Sequence, residues 1–214
     1  MTLIINEIFH SIQGESTFAG RACVFVRLTG CNLRCSYCDT RYAYSEGRSQ
    51  SIGQVVKKVA SYGCSLVEIT GGEPLLQPNT GQLVKALLAE GYQVLMETNG
   101  SLDISVIDPD CIKIIDIKCP DSGEADQCDF ANLQRLSSSD QVKFVISSRQ
   151  DYLYAKKTLP RIPDKLEFGN VLFSPVWDRL SGKTLARWIL EDGLEVRLQM
   201  QMHKILWPDI ERGV

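Results

Sequence analysis

Gly30-Cys31-Asn32-Leu33-Arg34-Cys35-Ser36-Tyr37-Cys38-Asp39-Thr40 follows the apolar run 22–28 after a single threonine, Thr29. Three cysteines stand on one short loop. A closed structural zinc site or an ordinary cubic iron–sulfur cluster takes four protein ligands. Three thiolates on one loop hold three irons of a four-iron cube and leave the fourth iron open to a ligand. The competing arrangement is a zinc site whose fourth ligand comes from His10, His203 or another cysteine. Spacing alone leaves both open.

The loop sits in an alternating pattern. Apolar, β-branched runs predict strands at 22–28, 66–70, 93–97, 112–117, 142–146, 171–173 and 195–198. Between several of them lie segments of helical period. Ile52, Val55, Val56, Val59 and Ala60 recur on one face, as do Leu83, Val84, Leu87 and Leu88, with Gly91 placed to end the second helix. Ser148 is set to cap a helix that Pro160 would stop, and Ser181 to cap another running to about Glu191. Strands alternating with helices imply parallel pairing through right-handed crossovers. Six or seven such units in 214 residues are too few for a complete eight-fold barrel, which leaves an open doubly wound sheet or an incomplete barrel. The stretch 160–169 carries the weakest pattern and reads as a surface loop. One domain spanning 1–214 is the simplest division.

Hydrophobic residues make up 44% and charged residues 23% of the chain, with a formal net charge of −3. No basic stripe points to nucleic acid. The first residues lack the basic flank and apolar stretch of a signal peptide, and no apolar run has the length of a membrane span. We therefore expect a cytoplasmic protein without membrane contact, where thiols stay reduced. The other five cysteines, Cys23, Cys64, Cys111, Cys119 and Cys128, are scattered and read as small buried hydrophobes. Cys119 is the one whose neighbourhood could line a site.

A second motif, Thr70-Gly71-Gly72-Glu73-Pro74, follows the strand predicted at 66–70. Two glycines let backbone approach a ligand with no side chain in the way. Glu97-Thr98-Asn99-Gly100 and Asp116-Ile117-Lys118-Cys119-Pro120 likewise put polar groups just beyond apolar runs.

The Cys-x3-Cys-x2-Cys loop, followed by Gly-Gly-Glu-Pro in that order, resembles the radical S-adenosylmethionine (SAM) superfamily. The resemblance implies an incomplete, (β/α)6-type TIM-like barrel with chemistry at the C-terminal strand ends. It also implies a 4Fe–4S cluster, one per subunit, on Cys31, Cys35 and Cys38, whose open iron chelates SAM and whose electron splits the sulfonium to a 5′-deoxyadenosyl radical. The cofactor would meet Tyr37, Cys38, Asp39, Gly72, Glu73, Asp116 and Lys118.

Features outside these motifs narrow the likeness. Ser11-Ile12-Gln13-Gly14-Glu15, the run 25–33, His203-Lys204 and the terminal Arg212-Gly213-Val214 resemble the 7-carboxy-7-deazaguanine synthase family of queuosine and 7-deazapurine biosynthesis, from residue 3 to the end. The resemblance implies a carbon–nitrogen lyase that rearranges 6-carboxy-5,6,7,8-tetrahydropterin to 7-carboxy-7-deazaguanine with loss of ammonia, by hydrogen abstraction at C6. It carries magnesium to the Thr40 hydroxyl, and the pterin to Ile12, Gln13, Gly14, Glu15, Arg27, Thr70, His203 and Val214. A homodimer and an external donor, flavodoxin or ferredoxin, are further family expectations. Ser16, Cys23 and Tyr37 depart from the family pattern, which touches fine positioning only. Two other readings are an activase that makes a glycyl radical on a partner protein, and a non-enzymatic zinc or iron–sulfur module.

Overall fold

The computed structural model describes all residues, Met1–Val214. In chain order the elements are β1 (Thr2–Ile12), β2 (Ala22–Leu28), β3 (Arg48–Ser51), α1 (Ile52–Ala60), β4 (Leu66–Gly71), α2 (Thr80–Ala89), β5 (Gln93–Thr98) and β6 (Ile112–Ile117). There follow α3 (Asn132–Arg135), β7 (Gln141–Ile146), α4 (Arg149–Thr158), β8 (Val171–Pro175), α5 (Gly182–Glu191), β9 (Arg197–Leu198) and α6 (Met202–Leu206). The strands form one sheet of order β3-β1-β2-β4-β5-β6-β7-β8-β9. From β2 to β9 every pairing is parallel. The sheet does not close on itself, so this is a partial barrel, as expected.

The local rules hold where the sequence states them. Ser148 and Ser181 accept from the backbone N–H of Asp151 and Thr184, and Ser51, which the sequence reading did not single out, closes a capping box with Gln54. Val24, Val26 and Leu28 of β2 pack with Val67 and Ile69 of β4 against Val55 and Val59 of α1 and Leu83 and Leu87 of α2. A second cluster joins β6, β7 and β8 to α4 and α5 around Tyr152, Phe144 and Phe173. The alternate residues of the same strands face the concave side. There Phe9, Cys23, Phe25, Leu66, Leu95 and Ile114 fill the lower barrel.

Two strands were not foreseen. β1 pairs antiparallel with β2, and β3 antiparallel with β1. A bulge between Ile5 and Glu7 breaks the alternation of β1. Arg-Ser-Gln-Ser, the whole of β3, contains no apolar residue to announce it. The 160–169 stretch is a loop, but Ile162 and Leu166 anchor it in the core and 3-10 turns bound it.

Asp151, in the first turn of α4 and fully buried, ties β7 to the turn after β6. Its carboxylate accepts from the N–H of Asp121 (2.9 Å) and Ser147 (2.9 Å) and from the Ser147 hydroxyl (2.7 Å). Asp151→Ala leaves these donors unpaired and should cost about 3 kcal/mol, read from denaturant unfolding.

Candidate active site

The cysteine loop is sewn to its surroundings before any ligand arrives. Gly30 turns with φ +101, its N–H donating to Ala43 O (2.8 Å) and its carbonyl accepting from Glu73 N (2.7 Å). Arg34 N–H donates to Glu124 (2.7 Å), Ser36 N–H to Ser122 O (2.9 Å), and Asn99 to the Asn32 side chain (3.1 Å). All three cysteines line one cavity of about 380 Å³ at the C-terminal ends of the parallel strands. Burial pushes the Cys31 thiol up and Cys35 to about 11, so iron must displace protons to bind there. No three His, Cys, Asp or Glu side chains gather tightly enough to share a single ion. His10 stacks on Tyr62 away from the cavity, and none of the other five cysteines lines it. A zinc ion would draw its ligands to one centre. The thiols of a cube each take a different iron and stay apart, which this loop suits.

Gly71 and Gly72 run against the cysteine loop. Gly72 N–H donates to Leu28 O (3.2 Å), and a Cβ on Gly72 would lie 2.1 Å from the Gly30 carbonyl oxygen and 2.8 Å from Cys31 Cβ. Only glycine leaves this backbone open beside the cysteines. Glu73 is different from its neighbours. It is wholly buried, does not line the cavity, and accepts from Leu75 N, Thr98 Oγ1 and Asn99 N. It braces the ends of β4 and β5, so the expected ligand contact is replaced by a scaffold role.

The cavity floor is charged. Lys143, on β7, reaches Glu15 (2.9 Å), Glu97 and Asp116 (3.7 Å), and Asp116 pairs with Lys118 (2.7 Å) beside Cys35. Asp116 Oδ1 is buried with no partner, an acceptor waiting for a donor. Burial and nearby Glu97 push the Glu68 carboxyl well up, and burial pushes Glu97 up against the opposing charge of Lys143. The sequence reading missed Glu68 and Lys143. Their signal is a single charge inside an otherwise apolar parallel strand: Val67-Glu68-Ile69 and Val142-Lys143-Phe144.

The remaining expected residues, Ile12, Gln13, Gly14, Arg27, Tyr37, Asp39, Thr40, Thr70, His203 and Val214, all line this cavity. Gly14 admits the C-terminal segment: Met202 N–H donates to its carbonyl (3.0 Å), and a Cβ there would lie 2.6 Å from His203 Nδ1. Lys204 pairs with Asp39 (2.7 Å), and that contact, outweighing burial, holds the Asp39 carboxyl at about 2. Gln13 is spent locally, its amide donating to Glu68 and its carbonyl accepting from Glu15 N (2.8 Å). Arg27 gives its Nε–H to Glu7 (2.7 Å), which leaves its two terminal nitrogens for a ligand.

The sequence profile of the radical SAM superfamily matches residues 25–116. A 7-carboxy-7-deazaguanine synthase from Koribacter versatilis is 42% identical, the match covering 98% of this chain and 99% of that one. Another of the same name from Chlorobaculum tepidum is 43% identical over 99% and 97%. The crystal structure of QueE from Escherichia coli has the same fold, with a TM-score of 0.80 at 22% identity and 95% of each chain covered. A cavity that joins three loop thiols to a glycine cradle, in a chain alike to these relatives from end to end, places this protein in the 7-carboxy-7-deazaguanine synthase family of radical SAM enzymes.

Proposed function

We propose that the chain rearranges 6-carboxy-5,6,7,8-tetrahydropterin to 7-carboxy-7-deazaguanine with loss of ammonia. The observation that carries this is one cavity with two differently built ends: three thiols and bare glycine backbone at one, Glu15 and Arg27 at the other. Cys31, Cys35 and Cys38 would hold the 4Fe–4S cluster, and the backbone at 37–39 and Gly72 would seat SAM, with Asp116 and Lys118 beside it. When bound, these two cofactors supply the radical chemistry.

The chain's own work is placement and exclusion. Arg27, fixed by Glu7, offers two N–H groups to the substrate carboxylate. Glu15 offers an acceptor to N–H donors of the pterin edge, with Ile12, Gly14, Thr70 and His203 as walls. The C-terminal segment lies over the site, and Val214 lines it. Arg212 clasps Glu46 through two contacts (2.7 and 3.0 Å) and lies over the Tyr42 ring, whose hydroxyl donates to Glu7 (2.9 Å). These contacts tie the C-terminal segment to the 41–46 turn, outside the cavity lining.

Magnesium would be held by the Thr40 hydroxyl, a hard oxygen at the cavity that donates to Asp39 (3.0 Å). Thr40→Val should raise the magnesium needed for half-maximal rate about tenfold without changing SAM binding, and an unaltered magnesium response removes Thr40 as a ligand. The same reading takes 1–214 as one domain, working as a cytoplasmic homodimer fed by flavodoxin or ferredoxin. No helix is long and apolar enough to cross a membrane.

The deciding assay adds 6-carboxytetrahydropterin, SAM and reductant to anaerobically reconstituted protein. Deazapurine absorbance with release of ammonia is expected. Cleavage of SAM with no product from the pterin would overturn the reading.

A further inference from the structure

Lys143 stands where an ammonium is costly. Its side chain is 5% exposed and sits between apolar neighbours on a parallel strand. A buried ion set is often no better for stability than apolar residues of the same size, so its place here asks for another reason. Glu97 at the end of β5 and Asp116 on β6 hold the ammonium from the sheet. Its third partner is not on the sheet. Glu15 lies on the loop between β1 and β2, and its carboxylate also accepts from Gln199 (3.0 Å) and Gln201 (3.1 Å) of the C-terminal segment. Two of these donors fall on Oε2 and one on Oε1, which leaves Oε1 a free lone pair in the cavity.

We propose that Lys143 is the positioning residue for Glu15: its buried ammonium fixes that carboxylate, ionised, as the acceptor for N–H donors of an aminopyrimidinone-type ring edge. The identity of that ring rests on the function proposed above. A protonated Glu15 would present an O–H where the ligand also presents a donor.

The electrostatics agree with the geometry. Burial alone would raise the Glu15 carboxyl; the charge of Lys143, aided by His203, outweighs it and holds Glu15 at about 2. The groups facing Glu15 are Lys143 on β7, His203 on α6, and the carboxyls of Glu68 on β4 and Glu97 on β5, both pushed up by burial. Without the ammonium, burial loses its main opponent, and the Glu15 carboxyl must rise.

Two readouts test this on reconstituted protein: fluorescence titration with 6-carboxypterin, and carbon-13 carboxyl resonances with Glu15→Gln to assign Glu15. In the wild type, any acid-side step in affinity should belong to His203, whose imidazole burial holds below its ordinary value, and Glu15 should stay ionised between about pH 5 and 8. Lys143→Met should weaken binding about thirtyfold at neutral pH, add a loss on the acid side, and bring the Glu15 titration into that window. Lys143→Arg keeps the charge and should restore the wild-type profile. A Lys143→Met protein with wild-type affinity, the wild-type pH profile and an ionised Glu15 overturns the assignment. Should Lys143→Met fail to fold, Lys143→Gln combined with Glu15→Gln removes one charge of each sign. Its affinity should match Glu15→Gln alone, and a further tenfold loss overturns the assignment. Wild-type protein that binds no 6-carboxypterin counts against the proposed reaction instead, and the Glu15 resonance then decides the role of Lys143.

Discussion

Cys35→Ala should give a folded, colourless protein without bound iron, SAM cleavage or product. Cys31→Ala and Cys38→Ala should behave alike. The loop keeps its shape through contacts that do not involve the thiols: Gly30 with Ala43, Ser36 with Ser122, Arg34 with Glu124. Thermal unfolding of the metal-free protein should therefore move little. The cluster, by contrast, has three protein anchors on one loop, and the cavity supplies no fourth thiol in reserve. Losing one leaves two irons unheld by protein, and ligand substitutions of this kind remove the metal rather than weaken it. Iron and sulfide analysis after anaerobic reconstitution reads the result directly. A variant that retained a full cube and turnover would refute the assignment of these cysteines.

Gly72→Ala is expected to lower SAM affinity at least a hundredfold. The added methyl group would lie 2.1 Å from the carbonyl oxygen of Gly30, well inside any permitted contact. That oxygen belongs to rigid backbone, already bonded to Glu73 N–H at 2.7 Å. Relief requires the 72–74 segment to move off the cysteine loop, which widens the cradle and shifts Cys31, whose Cβ lies 2.8 Å from the same methyl position. Overpacking of this kind costs about 1–3 kcal/mol in stability, and the whole distortion falls on the cofactor end of the cavity. Equilibrium SAM binding to the reconstituted protein, with 6-carboxypterin binding as the control, separates the two ends. Loss of SAM binding with the pterin retained is the expected pattern; equal SAM affinity would show that Gly72 backbone is not part of the cradle.

The framework was legible because it depends on local chemistry. Parallel strands buried on both faces read as continuous apolar runs, and Ser148 and Ser181 announce helix starts by offering an oxygen to free N–H groups. The three cysteines and the paired glycines are readable for the same reason: each motif is contiguous and sits at a strand end. What failed to show was set by partners far away. β3 is a strand only because β1 presents an edge to it. Glu73 looked like a ligand by its neighbours, yet Thr98 and Asn99 turn it inward.

The chain order alone therefore determined the parallel strand–helix alternation, the cysteine loop and the strand ends where chemistry gathers, and the family resemblance added the partial barrel. Only the tertiary structure decided how the site is wired. Lys143 meets Glu15 across 128 residues and Glu97 across 46, and Arg27 finds Glu7 across a strand pair. Charges buried on a concave face take their ionisation from whichever groups the fold brings within a few ångströms, and no local pattern records that proximity.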